Sequence, residues 1–364
     1  MLAACAGGSS GAPRAAPAWT LSAEPTLTIG SDSVPEQLFG RISGVVTLDD
    51  GHIAVLDGSA MEIRLFGSDG GYRRTIARRG RGPGEFTAVD WIQRHGDSLL
   101  VNDVMRGDVT LLGTDGTVHR AVTAGADSTY RFIGLMTRLP SGRWLASSTV
   151  PRGGPRVTGL NQDTLVIGLL STTASGPFRP VARIPGMSLM LVEGQGAAPA
   201  RFRQGGIVVP LGGRIAVIHP DSGSVRFLSE EGAEGPSSTL LIERQPLTAA
   251  MVSEALAREL ADITIEQARA FWEALYATEP KPSHLPMARA AFADGDRLLW
   301  LEEFWLDPDA PRRYHIVRDD GAVIGVLGAP AGFRLSEIGP DWILGVQEDA
   351  DGVQRVVRYR LVRR

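Results

Sequence analysis

A turn glycine recurs along this chain at Gly51, Gly96 and Gly142, intervals of 45 and 46 residues, and each time it stands just before a short apolar run. A period of that length confines the fold to repeat architectures. The unit is plainest in "VVTLDDGHIAVLDGSAMEIRLFGSDGGYRRTI" (45–76). It reads as a strand, a turn at Asp49-Asp50-Gly51, an apolar strand ending at Asp57, a third strand closing on an Asp-Gly turn, and a fourth short strand, "YRRTI". Related units follow at 95–122, 139–184, 211–232, 294–327 and 338–361, which makes six. Two later intervals, Gly142 to Gly213 and Gly213 to Gly295, stretch to 71 and 82 residues and therefore carry insertions. The units alternate at period two or run wholly apolar, which excludes helical solenoids of similar period. Four short strands per unit of about 45 residues is the pattern of a propeller blade. The expected fold is all-β, a six-bladed β-propeller.

The ends of the repeat need closing. The last unit supplies only three strands, "FRLSEI", "WILGV" and "VVRYRL", and an open strand edge is an aggregation hazard. The segment "EPTLTIG" (24–30) is β-rich without a partner of its own, so it is expected to become the outer strand of the last blade. Between units four and five, residues 246–282 switch to helical periodicity. Thr264 and Gln267 are spaced as a capping box; Ile265, Ala268, Trp272 and Leu275 fall on one face; Pro280 and Pro282 terminate the run. This insert is expected to buttress one propeller face, a lid over the central opening being the alternative.

Composition bears on where and with what such a fold works. Gly 44 and Pro 23 suit a turn-rich chain, and a net charge of −4 argues against a nucleic-acid binder, which needs a basic footprint. The single cysteine, Cys5, excludes an intrachain disulfide or a Cys-based zinc site. Leu2-Ala3-Ala4-Cys5 resembles the lipobox of bacterial lipoproteins, and the Gly/Ser/Ala/Pro stretch after it suits a tether. Residues 1–18 are thus expected to be a lipidated tether and 19–364 the propeller, held at a bacterial membrane and facing the envelope. The charged and apolar segments that precede a lipobox are missing, so the true start is expected upstream.

"RRGRGPGEF" (78–86), with "GHIAVLD" and "EIRLFGSDGGYRRTI" before it, resembles the NHL repeat, which has a "GxGPGxF" junction between blades. Across residues 24–364 the chain is similar to bacterial secreted or lipidated six-bladed β-propellers. The resemblance implies the fold; NHL-type propellers include protein binders, RNA binders and a few lyases, so function is left open by it. In this reading Gly80, Gly82 and Gly84 are turn residues carrying the chain from blade one to blade two. Arg74, Arg78, Arg79 and Arg81 crowd the same stretch and form a candidate anion-binding patch, the competing reading being a solvated blade edge.

The second candidate site is a ring. Asp57, Asp103, Ser148, His219, Glu302 and Gln347 occupy equivalent strand ends, with Asn102 beside them, and should lie on one face. Asp57, Asn102, Asp103, His219 and Glu302 could hold Ca²⁺ or another ligand through oxygen and imidazole donors. Six-bladed lactonases and esterases, which this arrangement resembles in principle, use a Glu, Asn and Asp set around a central metal to polarise a carbonyl or activate water. The competing reading is that an Asp ending a propeller strand caps the turn after it. Trp144, Trp300 and Trp342 fall within strand patterns and are expected to pack between blades, whereas Trp305, with Glu302, Glu303 and Phe304, could line a ligand-facing rim. The stretch 191–200 reads as loop. No HExxH, G-x-S-x-G or Walker pattern occurs. The functional expectation is a binding or scaffold module, acting as a monomer on a protein, small-molecule or glycan ligand and not on nucleic acid. The alternative is a Ca²⁺-dependent hydrolase or lyase working in the central channel.

Overall fold

The computed structural model describes residues 17–125, 127–130, 132–150 and 156–363. Blade one sets the pattern, with antiparallel strands Ile42–Thr47, Ile53–Asp57, Glu62–Phe66 and Tyr72–Arg79 running from the axis outward. Its second strand is buried at every position, and the reason lies in which neighbour each face meets. Ile53 and Val55 pack with Leu344, Val346 and Val356 of blade six, whereas Ala54 and Leu56 pack with Ile92, Leu99 and Val101 of blade two. A strand sandwiched between two blades has no solvent face, so it is written as a continuous apolar run. Blade four repeats the arrangement: Ile215 and Val217 face blade three, Ala216 and Ile218 face blade five.

The inner strands of the other blades begin at Val89, Gly134, Ile207, Ala290 and Phe333. Six blades therefore surround a channel lined by inner-strand residues such as Met136, Val208, Ala291 and Ile338. Two N-terminal strands latch the ring. Leu27–Ile29 pairs antiparallel with Gln354–Val362 and forms the outer strand of blade six. Ala18–Leu21 lies between blades: Ala18 and Trp19 run parallel with Val326 and Leu327 of blade five, and Thr20 and Leu21 antiparallel with Val362 and Leu361 of blade six. Trp19 fills this seam, edge-on to Trp300 with ring centroids 5.5 Å apart, over Gly325, where any side chain would collide with its indole. Cys5 and most of the tether lie outside the described residues.

Each blade presents two sets of loops. The connections after second and outer strands open on one end of the channel, here called the loop face. Blade three grows out of that face: Gly159–Leu170 and Arg179–Val192 overshoot their neighbours as a long hairpin. Gly196–Pro199 adds a fifth strand to it, so the stretch read as loop is a β-hairpin, its backbone satisfied by Leu189–Val192. The predicted helical insert stands beside it as α1 (Ala249–Leu260) and α2 (Glu266–Thr278). Thr248 caps α1, its Oγ1 accepting from the Met251 amide at 3.3 Å. The capping box at Thr264 and Gln267 is not formed: the N-cap of α2 is Ile265, one residue later, so Thr264 lies outside the first turn and Ile265 is exposed rather than on the buried face. Leu275 and Tyr276 of α2 and Ala255 of α1 pack against Met190, Val192, Ala198 and Phe202 of the hairpin region and Phe304 of blade five. The helices are a brace between blades three and five.

Candidate functional site

The strand-end carboxylates of blades one and two are spoken for by their own turns. Asp57, 2 % exposed, accepts from the amides of Gly40, Arg41, Ser59 and Ala60 at 3.0–3.4 Å. Asp103, wholly buried, accepts from the Thr87 amide at 2.7 Å, the Thr87 hydroxyl, and the amides of Met105 and Arg106. Each carboxylate ties the chain entering its blade to the turn leaving the second strand. Burial pushes the Asp103 carboxyl up, but the Thr87 and Arg106 hydrogen bonds outweigh it and hold it below its ordinary value. Asn102 points to the other face of its strand, its Nδ2 donating to the Asp108 carbonyl at 3.4 Å.

The remaining ring members serve different neighbours. His219 is half-buried, and burial together with the Arg226 guanidinium favours its neutral form. Ser148 and Gln347 stand one residue short of their strand ends. Glu302 accepts from Trp305 Nε1 at 2.8 Å. Among the described residues no three His, Cys, Asp or Glu side chains are grouped to hold a metal. The structure thus does not assemble Asp57, Asn102, Asp103, His219 and Glu302 into one centre, because second strands lie one strand away from the axis and their ends bond locally.

The arginine-rich junction is architecture with a solvated edge. Gly80 N donates to the Phe86 carbonyl, Gly82 N to Glu85 Oε2 at 2.9 Å, and Gly84 takes a φ of +73°, which other residues adopt only at a cost. Phe86, 1 % exposed, then anchors the chain in the core between blades one and two. Arg74, Arg78, Arg79 and Arg81 are exposed along the outer strand and its turn. Arg78 pairs with Glu85 and Arg79 donates to the Ser59 carbonyl, so the four do not converge on a concave site.

The channel mouth on the loop face is where polar groups converge. Trp305 stands there with a guanidinium on each side, Arg289 and Arg312 both 4.0 Å from its ring centroid. Arg312 is buried and donates to the carbonyls of Asp307, Pro308 and Ala310, so it fixes the loop that carries Trp305. Glu302 holds the indole N–H from below. Arg289 is the outward member, and it lines two cavities at once. One, about 860 Å³, opens between blades five, six and one and includes Glu302, Trp305, Arg334 and Glu348. The other, about 690 Å³, lies against the blade-three hairpin and includes Leu165, Met187, Arg201, Arg203 and Phe304. Neither α1 nor α2 lines them, which makes the insert a buttress of the mouth's wall. Loss of solvent lowers the Arg289 pKa, Glu302 raises it, and Arg312 lowers it further. Of the rim residues read from sequence, Trp305 and Glu302 are at the mouth. Phe304 packs against the helices and also lines the hairpin-side cavity, whereas Glu303 bonds His315 and Arg313.

A family model described as "6-bladed beta-propeller" matches residues 34–115, which are blade one and most of blade two. The chain is a six-bladed β-propeller. That family is described by its blade number, without reference to the NHL repeat. A solved structure of a duf4221-family protein from Bacteroides vulgatus has the same fold, at 9 % identity and a TM-score of 0.56, over 94 % of this chain and 98 % of that one. More distant are a calcium-binding regucalcin from Agrobacterium tumefaciens (11 % identity, TM-score 0.45, covering 95 % and 97 %) and a gluconolactonase from Xanthomonas campestris (10 %, 0.45, covering 96 % and 99 %). No curated protein matches the chain.

Sequence reasoning missed the propeller's main cations at the mouth, Arg203, Arg289, Arg312 and Arg334. Arg289 sits in "MARAAF" just before an inner strand, and Arg203 in "RFRQGG" on the way into blade four. A usable signal was the pair Gly205-Gly206. Their missing side chains let this segment lie across Pro185 and Ile184, where a Cβ on either would clash.

Proposed function

We propose that this propeller is an envelope-displayed recognition module that binds its ligand on the loop face, at the channel mouth. The distribution of exposed apolar side chains carries the reading. Of ten large apolar residues exposed among the described residues, nine belong to loop-face segments: Val34, Leu38, Val104, Met105, Phe132, Val157, Met187, Leu241 and Ile265. Only Val362 lies elsewhere. Such residues gain nothing by exposure, and their gathering on one end, with Met187 lining a mouth cavity and Val104 and Phe132 lining another cavity on the same face, is the pattern of an interaction surface. Phe132 sharpens it, being 91 % exposed at a φ of +56°, a backbone conformation that costs energy without burial to offset it.

The envelope location rests on the Leu2-Ala3-Ala4-Cys5 sequence and its tether. Soaking crystals with a fragment library of mixed charge tests the binding reading. Bound fragments are expected to cluster in the two mouth cavities; hits scattered over the molecule, or confined to the opposite face, overturn it. For the anchor, metabolic labelling with an alkynyl fatty acid should mark the wild-type chain in a bacterial host and not Cys5→Ser. Equal membrane partition of the two removes the anchor.

A further inference from the structure

We propose that the cavity against the blade-three hairpin takes a ligand carrying a carboxylate on an apolar body, with the carboxylate seated between Arg203 and Arg289. This rests on the reading of the mouth as a recognition site and adds the chemistry of what it recognises.

The cavity of about 690 Å³ has apolar walls, Leu165, Pro185, Met187, Pro199 and Phe304 among them, and is of the size that encloses a small organic molecule. Its charge is one-sided. Asp163, the carboxylate on its lining, is engaged by Arg156 at 3.3 Å, and Arg201 is neutralised by Glu259 at 2.6 Å while stacking on Trp272. Arg203 and Arg289 are different. Neither has an acidic partner within 4.0 Å among the described residues, and the Arg203 Nε is buried without an acceptor. Elsewhere on this face Arg313 pairs with Glu303 and Arg355 with Asp349. Arg203 acts at longer range on Asp221 and Glu279, and Arg289 on Glu302, yet the Arg203 Nε keeps a donor without an acceptor, and two guanidinium groups lining one cavity favour an anion there.

The positioning is built in advance. Arg289 lies over the Trp305 ring, and Trp305 is fixed by Arg312 and through its N–H by Glu302. A planar guanidinium kept in one orientation presents its fork to a planar carboxylate at small entropic cost. The apolar walls suit a ligand with an apolar body behind its carboxylate.

The test uses matched pairs on the full chain: 4-phenylbutyrate with 4-phenylbutyramide, octanoate with octanamide, and 3-phenylpropylphosphonate as the phosphate-like arm. Calorimetry is expected to show the acids binding at least tenfold more tightly than the amides and more tightly than the phosphonate. Arg203→Gln and Arg289→Gln should each weaken acid binding about tenfold or more. Arg74→Gln on the outer edge of blade one should leave it unchanged, and melting temperatures serve as the folding control. Amides equal to acids, a preferred phosphonate, or variants without effect overturn the carboxylate assignment. Crystal soaks separate the two levels: amides and acids lodged alike in this cavity remove the charge assignment and keep the recognition site, whereas ligands absent from the mouth remove both.

Discussion

Replacing Asp103 with Ala decides whether the strand-end carboxylates are turn caps or metal ligands. In the structure the Asp103 carboxylate, fully buried, accepts from three backbone amides and the Thr87 hydroxyl. Truncation leaves those amides unmatched in the interior, each worth about 1–1.5 kcal/mol, so the expected loss is about 3–5 kcal/mol. Unfolding entropy of about 2.1 cal/mol/K per residue makes each kcal/mol worth about 1.3 °C in a chain of this length, hence a fall in Tm of about 4–7 °C. The sign with pH follows from the depressed pKa. The stabilisation is complete above the unfolded value of about 3.9 and is lost as pH falls through the folded one, so wild type and variant should converge in acid. Differential scanning calorimetry between pH 3 and 8, with and without Ca²⁺ and with chelator, is the assay. A drop under about 1 °C, or a Ca²⁺-dependent rise in wild-type Tm that Asp103→Ala abolishes, would refute the capping argument.

Three further outcomes are expected. Trp19→Ala should cost about 3–5 kcal/mol, because it empties a buried site in the seam between blades five and six, and limited proteolysis should then begin in residues 17–30; an unchanged digestion pattern would speak against the latch. Gly84→Ala should destabilise the first blade junction by about 1 kcal/mol or more through its φ of +73°, whereas Arg81→Ala beside it should shift Tm by less than about 1 °C, both read by thermal melts. Burial raises the pKa of Glu337, whose Oε2 accepts from the Thr47 amide at 2.9 Å beside the channel. A raised carboxyl pKa costs stability as pH climbs from the unfolded value through the folded one. Glu337→Gln should therefore be the more stable protein at pH 8 and lose that advantage near pH 4; a constant difference across the range would contradict the argument.

How far the chain could be read varies with the locality of the physics involved. The blades were legible because each is built from short-range chemistry: Asp-Gly turns, strands of five or six residues, and second strands such as Ile53–Asp57 whose unbroken apolar character reports burial on both faces. The helical insert was legible from its period, yet its start was not. Whether Thr264 or Ile265 caps α2 depends on how the helix is seated against Phe202 and Met190. The 191–200 hairpin was hidden for a similar reason, since "LVEGQGAAPA" becomes a strand only by pairing with the overshooting end of blade three. At the site, Glu302 and Trp305 could be picked out by their place after a second strand, while Arg203 and Arg289 could not.

What the sequence determined by itself is the repeat, its number, and the glycine turns at its junctions, because these depend on backbone conformation and on neighbours within about ten residues. What only the tertiary structure decided is which side chains meet. Equivalent strand ends proved not to be equivalent chemistry: Asp57 and Asp103 turned inward to amides of their own blades, and Arg203 and Arg289, 86 positions apart in the chain, came to line one cavity. A ring of blades brings distant loops together at its mouth, and the composition of that mouth is written in no single stretch of the chain.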